Sequence, residues 1–207
     1  MNLDKHDLFR NAVPGFVFLI VVLSYYGFTE SLENIKDNQA ALVALVAGFP
    51  LGFVIHCLYR IVFHIWFREQ RAMEENDAAV LRKIFKDKTQ QLESGYDQYE
   101  DKDRALSHLF TFCLKENSEW KDRIDFFISY IHALGASALA ILIAISFMGW
   151  VKTAKLIQCW LLTLIWLAIA VIFYFGRKAV KSSCGASKEV FARINQLSIA
   201  KHLDNAK

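Results

Sequence analysis

Between Phe126 and Val151 the chain runs for 26 residues without one Asp, Glu, Lys or Arg. About 20 mostly apolar residues suffice for a helix to cross the hydrocarbon core of a bilayer, so this run is long enough with residues to spare. Three other blocks follow the pattern. Leu156 to Gly176 is uncharged over 21 residues, Val13 to Phe28 over 16, and Ala40 to Phe67 carries a single permanent charge, Arg60, in 28. With 55% hydrophobic residues gathered into such blocks, the 207-residue chain is too apolar for an ordinary water-soluble domain. The pattern predicts an all-α integral membrane protein with four transmembrane helices, at about 12–28, 40–67, 125–150 and 155–176. The first block is short enough to raise the signal-peptide reading. Tyr25-Tyr26-Gly27-Phe28 offers no small-x-small cleavage site, however, so a retained first helix is expected.

The connecting segments set the orientation. Lys and Arg number two in residues 1–11, eleven in 68–123 and seven in 177–207, whereas the other two connections hold only Lys36, Lys152 and Lys155. Basic residues stay on the cytoplasmic side, which puts both termini and the 68–123 loop there. Trp66, Trp150 and Tyr25-Tyr26 near the span ends are expected as interfacial anchors. The two outer connections are too short to hold a receptor domain.

The 68–123 loop reads as a helical hairpin. Val80, Leu81, Ile84 and Phe85 form one apolar stripe, Leu106, Leu109, Phe110, Cys113 and Leu114 another, and the acidic segment around Gly95 reads as the turn between them. A hairpin this small buries little core alone, so it is expected to pack on a neighbouring subunit or a partner protein. Arg82, Lys83, Lys86, Arg104 and His108 are its candidate partner-binding residues. The tail, 177–207, is basic and amphipathic, with Ser187 as a candidate N-cap and Val190, Ile194, Leu197 and Lys201 on one stripe. Such a helix lies on anionic headgroups or docks on protein, and its charges also serve simply to enforce topology.

Two short motifs point to helix packing. Gly48-Phe49-Pro50-Leu51-Gly52 in the second span supplies a small-xxx-small surface and a kink, suited to a tight helix contact or a hinge. Pro14-Gly15 stands near the cytoplasmic mouth of the first span, where a proline in an opening turn is well tolerated.

Polar residues inside the spans are the candidate functional layer. His56, Arg60 and His64 recur every four residues, close to one helical face, and His132 and Ser129 fall at a matching depth in the third span. Three readings stand open. Arg60 snorkels to inner-leaflet phosphates with His64 at the headgroups, or the row faces the protein interior, or it lines a water-filled path. Asp125, at the very start of the third span, is the only carboxylate within the predicted spans, and the lack of any deeper one argues against a proton-coupled pump.

The sequence lacks G-x-x-x-x-G-K-[ST], G-x-G-x-x-G, H-E-x-x-H and G-x-S-x-G. The Arg60-to-His64 and Arg104-to-His108 spacings are one residue short of the nuclease pattern of small helical HEPN proteins. Cys57, Cys113, Cys159 and Cys184 are far apart and suggest neither a disulfide framework nor a zinc site. A non-enzymatic protein without metal or cofactor is expected.

The segments DLFRNAVPGFVFLIVVL and GFPLGFVIHCLYRIVF resemble small multi-span proteins of bacterial antiphage modules, best the membrane subunit of the Kiwa system, and next the membrane accessory proteins of type VI CRISPR loci. The resemblance implies an inner-membrane homo-oligomer that senses phage attack and works with a cytosolic, DNA-binding defence protein. A sensor and scaffold is the function it favours. A pore lined by His56, Arg60 and His132 is the alternative, and a small transporter or membrane-complex subunit the third.

Overall fold

A computed structural model describes residues 5–29, 37–62, 69–94, 99–151 and 160–205. Among these residues it is all-helical, with eight helices. They are α1 (Lys5–Thr29), α2 (Asp37–Arg60), α3 (Glu69–Ile84), α4 (Lys86–Glu93), α5 (Tyr99–Lys115), α6 (Ser118–Val151), α7 (Trp160–Ile194) and α8 (Gln196–Asn205). Ser118–Trp150 and Trp160–Ile194 are long and apolar enough to cross a membrane, and Phe9–Tyr25 and Val46–Arg60 are shorter apolar stretches. The expected boundaries at 67, 68 and 155, together with His64 and Trp66, lie outside the described residues.

The chain divides into two units. The first comprises Met1–Val62 and Ile128–Val180, the second Phe63–Phe127 and Lys181–Lys207, with α6 and α7 contributing residues to both. In the first unit α1 and α2 cross antiparallel through glycine. A Cβ on Gly15 would strike the Gly48 carbonyl oxygen and stand 2.6 Å from the Gly52 nitrogen, and one on Gly52 would strike the Asn11 carbonyl oxygen. Glycine is required because the two backbones touch, which makes the Gly48–Gly52 motif a tight helix contact. Pro14 falls nine residues inside α1 rather than in its opening turn, since the helix begins at Lys5.

On α6 the small residues Ala133, Ala136, Ala140 and Ala144 are all buried, at spacings of three and four that let neighbouring helices approach. Val21, Tyr25, Ile141, Ala144, Met148 and Ala170 form the core between α1, α6 and α7. Tyr25 shares a 2.7 Å hydrogen bond with Thr163, and the Trp166 indole donates to Ser24 Oγ at 2.9 Å. Tyr25, expected as an interfacial anchor, is thus a core residue whose hydroxyl finds a partner on another helix. Trp150, 84% exposed, stays on the surface. In its most apolar window α6 is 56% buried and α7 only 11%, so α6 is central to its packing and α7 peripheral.

The second unit corrects two expectations. Its hairpin has three helices, because the chain bends at Phe85 between α3 and α4. The chain's own tail contributes to its core. Leu81, Leu106 and Phe110 of the hairpin are buried together with Phe191, Ile199 and Leu203 of the tail, all at 1% exposure or less. Phe191 sits edge-on to Phe110, ring centres 5.7 Å apart, and 5.9 Å from Trp120. Each such side chain contributes about 1.5–3 kcal/mol of burial. The tail is also not one separate helix. α7 runs through Ser187, which therefore caps nothing, and α8 starts at Gln196 after a turn at Asn195.

Cys113 is buried on α5, and burial pushes its thiol up to about 11. Against an ordinary thiol its thiolate is about a hundredfold rarer near pH 8. Iodoacetamide at pH 8 is expected to modify Cys113 about a hundredfold more slowly in the native than in the unfolded chain, as read by peptide mass spectrometry.

Candidate functional site

The first unit gathers a buried polar layer from three helices. His56 and Tyr59 come from α2, Ser129 and His132 from α6 and Arg177 from α7, each at most 9% exposed. The His56 and His132 rings stand perpendicular with centres 5.8 Å apart, and the Tyr59 ring lies 6.1 Å from the first and 5.9 Å from the second. Arg177 Nε donates to the Tyr59 hydroxyl at 3.0 Å, and its guanidinium carbon is 5.9 Å from the ring centre. Gly135 admits the ring, for a Cβ there would be 2.5 Å from Tyr59 Cε2. From Phe9 to Tyr25, Val46 to Val62 and Ile128 to Val180 the sequence holds no Asp or Glu.

The structure brings together His56 and His132, and Ser129 is buried one turn before His132 on α6, but Arg60 is exposed. A step of four residues overshoots a helical turn by about 40°, and the buried face of α2 is reached from His56 in the opposite sense, through Ile55 and Tyr59. Of the three open readings for Arg60, its outward position fits snorkelling to phosphate. Tyr59 and Arg177 were the residues missed. Arg177 directly follows an apolar run and precedes Lys178, so in sequence it is indistinguishable from a topology-setting charge. Tyr59→Phe is expected to destabilise by about 1–3 kcal/mol, because the buried hydroxyl that accepts from Arg177 Nε is removed, whereas Arg60→Leu stays within about 0.5 kcal/mol. Thermal melts of the detergent-solubilised protein measure the contrast.

In the second unit the candidate partner-binding residues separate into two groups. Arg82 is held internally, by Glu93 at 2.6 Å and Asp103 at 2.6 Å, and Lys83 lies 2.9 Å from Glu189. Arg104 is 4.0 Å from Glu74, while Lys86 and His108 lie exposed. A further ion pair is buried. Lys188 of α7 meets Asp77 of α3, and Ser107 donates to the same carboxylate at 3.2 Å. Burial pushes the Asp77 carboxyl above its usual range, against the opposing pull of Lys188. Glu189 moves the other way, held low by hydrogen bonds from Lys83 and Arg193. The Lys83–Glu189 and Lys188–Asp77 pairs fasten tail to hairpin, a role hidden in the sequence because the partners are more than 100 residues apart.

No protein-family model matches the chain, and neither a curated protein nor a solved structure matches it.

Proposed function

We propose that the protein is a non-enzymatic membrane scaffold and sensor subunit of a bacterial inner membrane, crossing it four times through α1, α2, α6 and α7, with both termini and the second unit in the cytoplasm. The polarity of the first unit carries this reading. Its outward side chains are large and apolar, Phe53, Leu58, Leu142, Leu164, Ile172 and Phe175 among them, while Asn11, His56, Ser129, His132, Ser137 and Arg177 are buried. A bundle in water places these groups the other way round, and one in lipid places them as here. The basic connections set the orientation. The resemblance to the Kiwa membrane subunit supplies the setting, a homo-oligomer that responds to phage attack and engages a cytosolic, DNA-binding partner.

Fusions to alkaline phosphatase and to green fluorescent protein test the topology. Phosphatase activity is expected after residues 34 and 154, and fluorescence after 94 and 207. Phosphatase activity at 94 overturns it. The pore alternative needs His56, Arg60 and His132 on one lining, and these side chains divide between interior and surface. Plaque counts with and without the chain, in cells carrying its neighbouring gene, test the defensive role.

A further inference from the structure

One outward stripe of α7 changes character along its length. Leu164, Ala168, Val171, Phe175 and Lys178 follow one another at steps of four and three residues, and all are exposed. The apolar part, Leu164 to Phe175, rises about 16 Å at 1.5 Å per residue, close to one leaflet of a hydrocarbon core about 30 Å thick. The ammonium of Lys178 stands at its end, 5.4 Å from the centre of the Tyr174 ring and 6.0 Å from that of Phe175. We infer that this stripe is a binding site for one anionic phospholipid of the inner leaflet, with Lys178 on its phosphate and an acyl chain along Phe175, Val171 and Leu164. The inference deepens the membrane reading above and rests on it.

Charge and level select the lipid. Lys178 lies over two aromatic rings and has no carboxylate partner among the described residues. Along the chain, no Asp or Glu occurs from Phe126 to Lys188, while Arg177, Lys178 and Lys181 are basic. A zwitterionic headgroup would bring its own cation beside these charges, whereas an anionic one brings only the phosphate they attract. The level follows from a hydrogen bond. Arg177 donates to Tyr59 at 3.0 Å, so the residues that come next, Lys178 on α7 and Arg60 on α2, stand near one level. Arg60 is likewise exposed and without a carboxylate partner among the described residues. Two outward cations at one level, on helices whose other outward side chains are apolar, mark a plane of phosphates. A soluble acidic partner would meet Lys178 but leave the apolar length from Leu164 to Phe175 unused.

Native mass spectrometry of the delipidated full chain in detergent tests the site. Phosphatidylglycerol and phosphatidylcholine with the same acyl chains are titrated separately. Phosphatidylglycerol is expected to bind more tightly, and Lys178→Gln to weaken it about fivefold while narrowing the difference between the two lipids. Phe175→Ser should weaken both, because the acyl contact is common to them. Lys115→Gln, at an exposed cation of the second unit, should change neither. Lys178 and Phe175 are exposed, so the melting temperature should stay the same. Excess inorganic phosphate should not displace the lipid, since it lacks the acyl chain. Equal affinity for the two lipids, displacement by inorganic phosphate, or equal losses from Lys178→Gln and Lys115→Gln overturns the site and leaves the membrane reading standing. Release of the chain from native membranes by alkaline carbonate overturns the membrane reading itself.

Discussion

Gly52→Val is expected to abolish the α1–α2 crossing and cost about 3 kcal/mol or more, at or beyond the upper end of overpacking changes in protein interiors. The obstacle is backbone. The added Cβ meets the Asn11 carbonyl oxygen and stands 2.9 Å from the Gly15 nitrogen, and neither atom moves unless a whole helix moves. Gly15→Val should behave alike. Gly48→Val should cost less, because its nearest obstacle is the Phe16 ring at 2.7 Å, a side chain that can turn. Gly185→Ala, whose Cβ would stand 3.9 Å from the Asn76 side chain, should be neutral or gain up to about 1 kcal/mol through better helix propensity. Melting temperatures in detergent read the series, and a Gly52→Val protein as stable as Gly185→Ala would remove the crossing from the account.

Lys188→Met should be the most damaging change in the second unit, at about 3–5 kcal/mol, because it strands a buried carboxylate. Asp77→Leu combined with Lys188→Met should recover most of that loss, since an apolar pair of similar volume avoids the desolvation of both charges. The pH dependence has a definite sign. Burial raises the Asp77 carboxyl, so the folded state binds its proton more tightly than the unfolded state. Stability then falls as pH rises from the ordinary carboxylate range to the raised value. Removing the ammonium that opposes the shift widens this window, so Lys188→Met should be least stable near neutrality and regain stability on acidification. Urea titrations at several pH values test both points. A double variant no more stable than the single would show that the pair holds specific geometry beyond charge balance.

These cases mark how far the sequence could be read. The helical class and the apolar blocks follow from composition and periodicity, and the Gly48–Gly52 contact follows from glycine spacing, because each rests on neighbours along the chain. The polar layer was half visible. His56 and His132 were found by depth, but Tyr59 and Arg177 join the layer through a helix rotation and a helix partner that spacing does not encode. The second unit was the least legible. Its hairpin stripes were plain, yet Phe191, Ile199 and Leu203, which close its core, read as part of a free amphipathic tail until the fold brings residues 181–207 to residues 63–127. The same pairing ties Lys83 to Glu189 of the tail, whereas Arg82 is held within the hairpin by Glu93 and Asp103.

The lipid-facing polarity of the first unit is the central claim, and spin-label accessibility in nanodiscs tests it most directly. Labels at Phe53, Leu142 and Ile172, each exposed on the first unit, are predicted to relax with molecular oxygen in preference to a water-soluble nickel chelate. Labels at Lys86 and Thr111 of the second unit should show the reverse preference. Preference for the nickel chelate at Phe53, Leu142 and Ile172 would contradict the account, because those side chains would then face water.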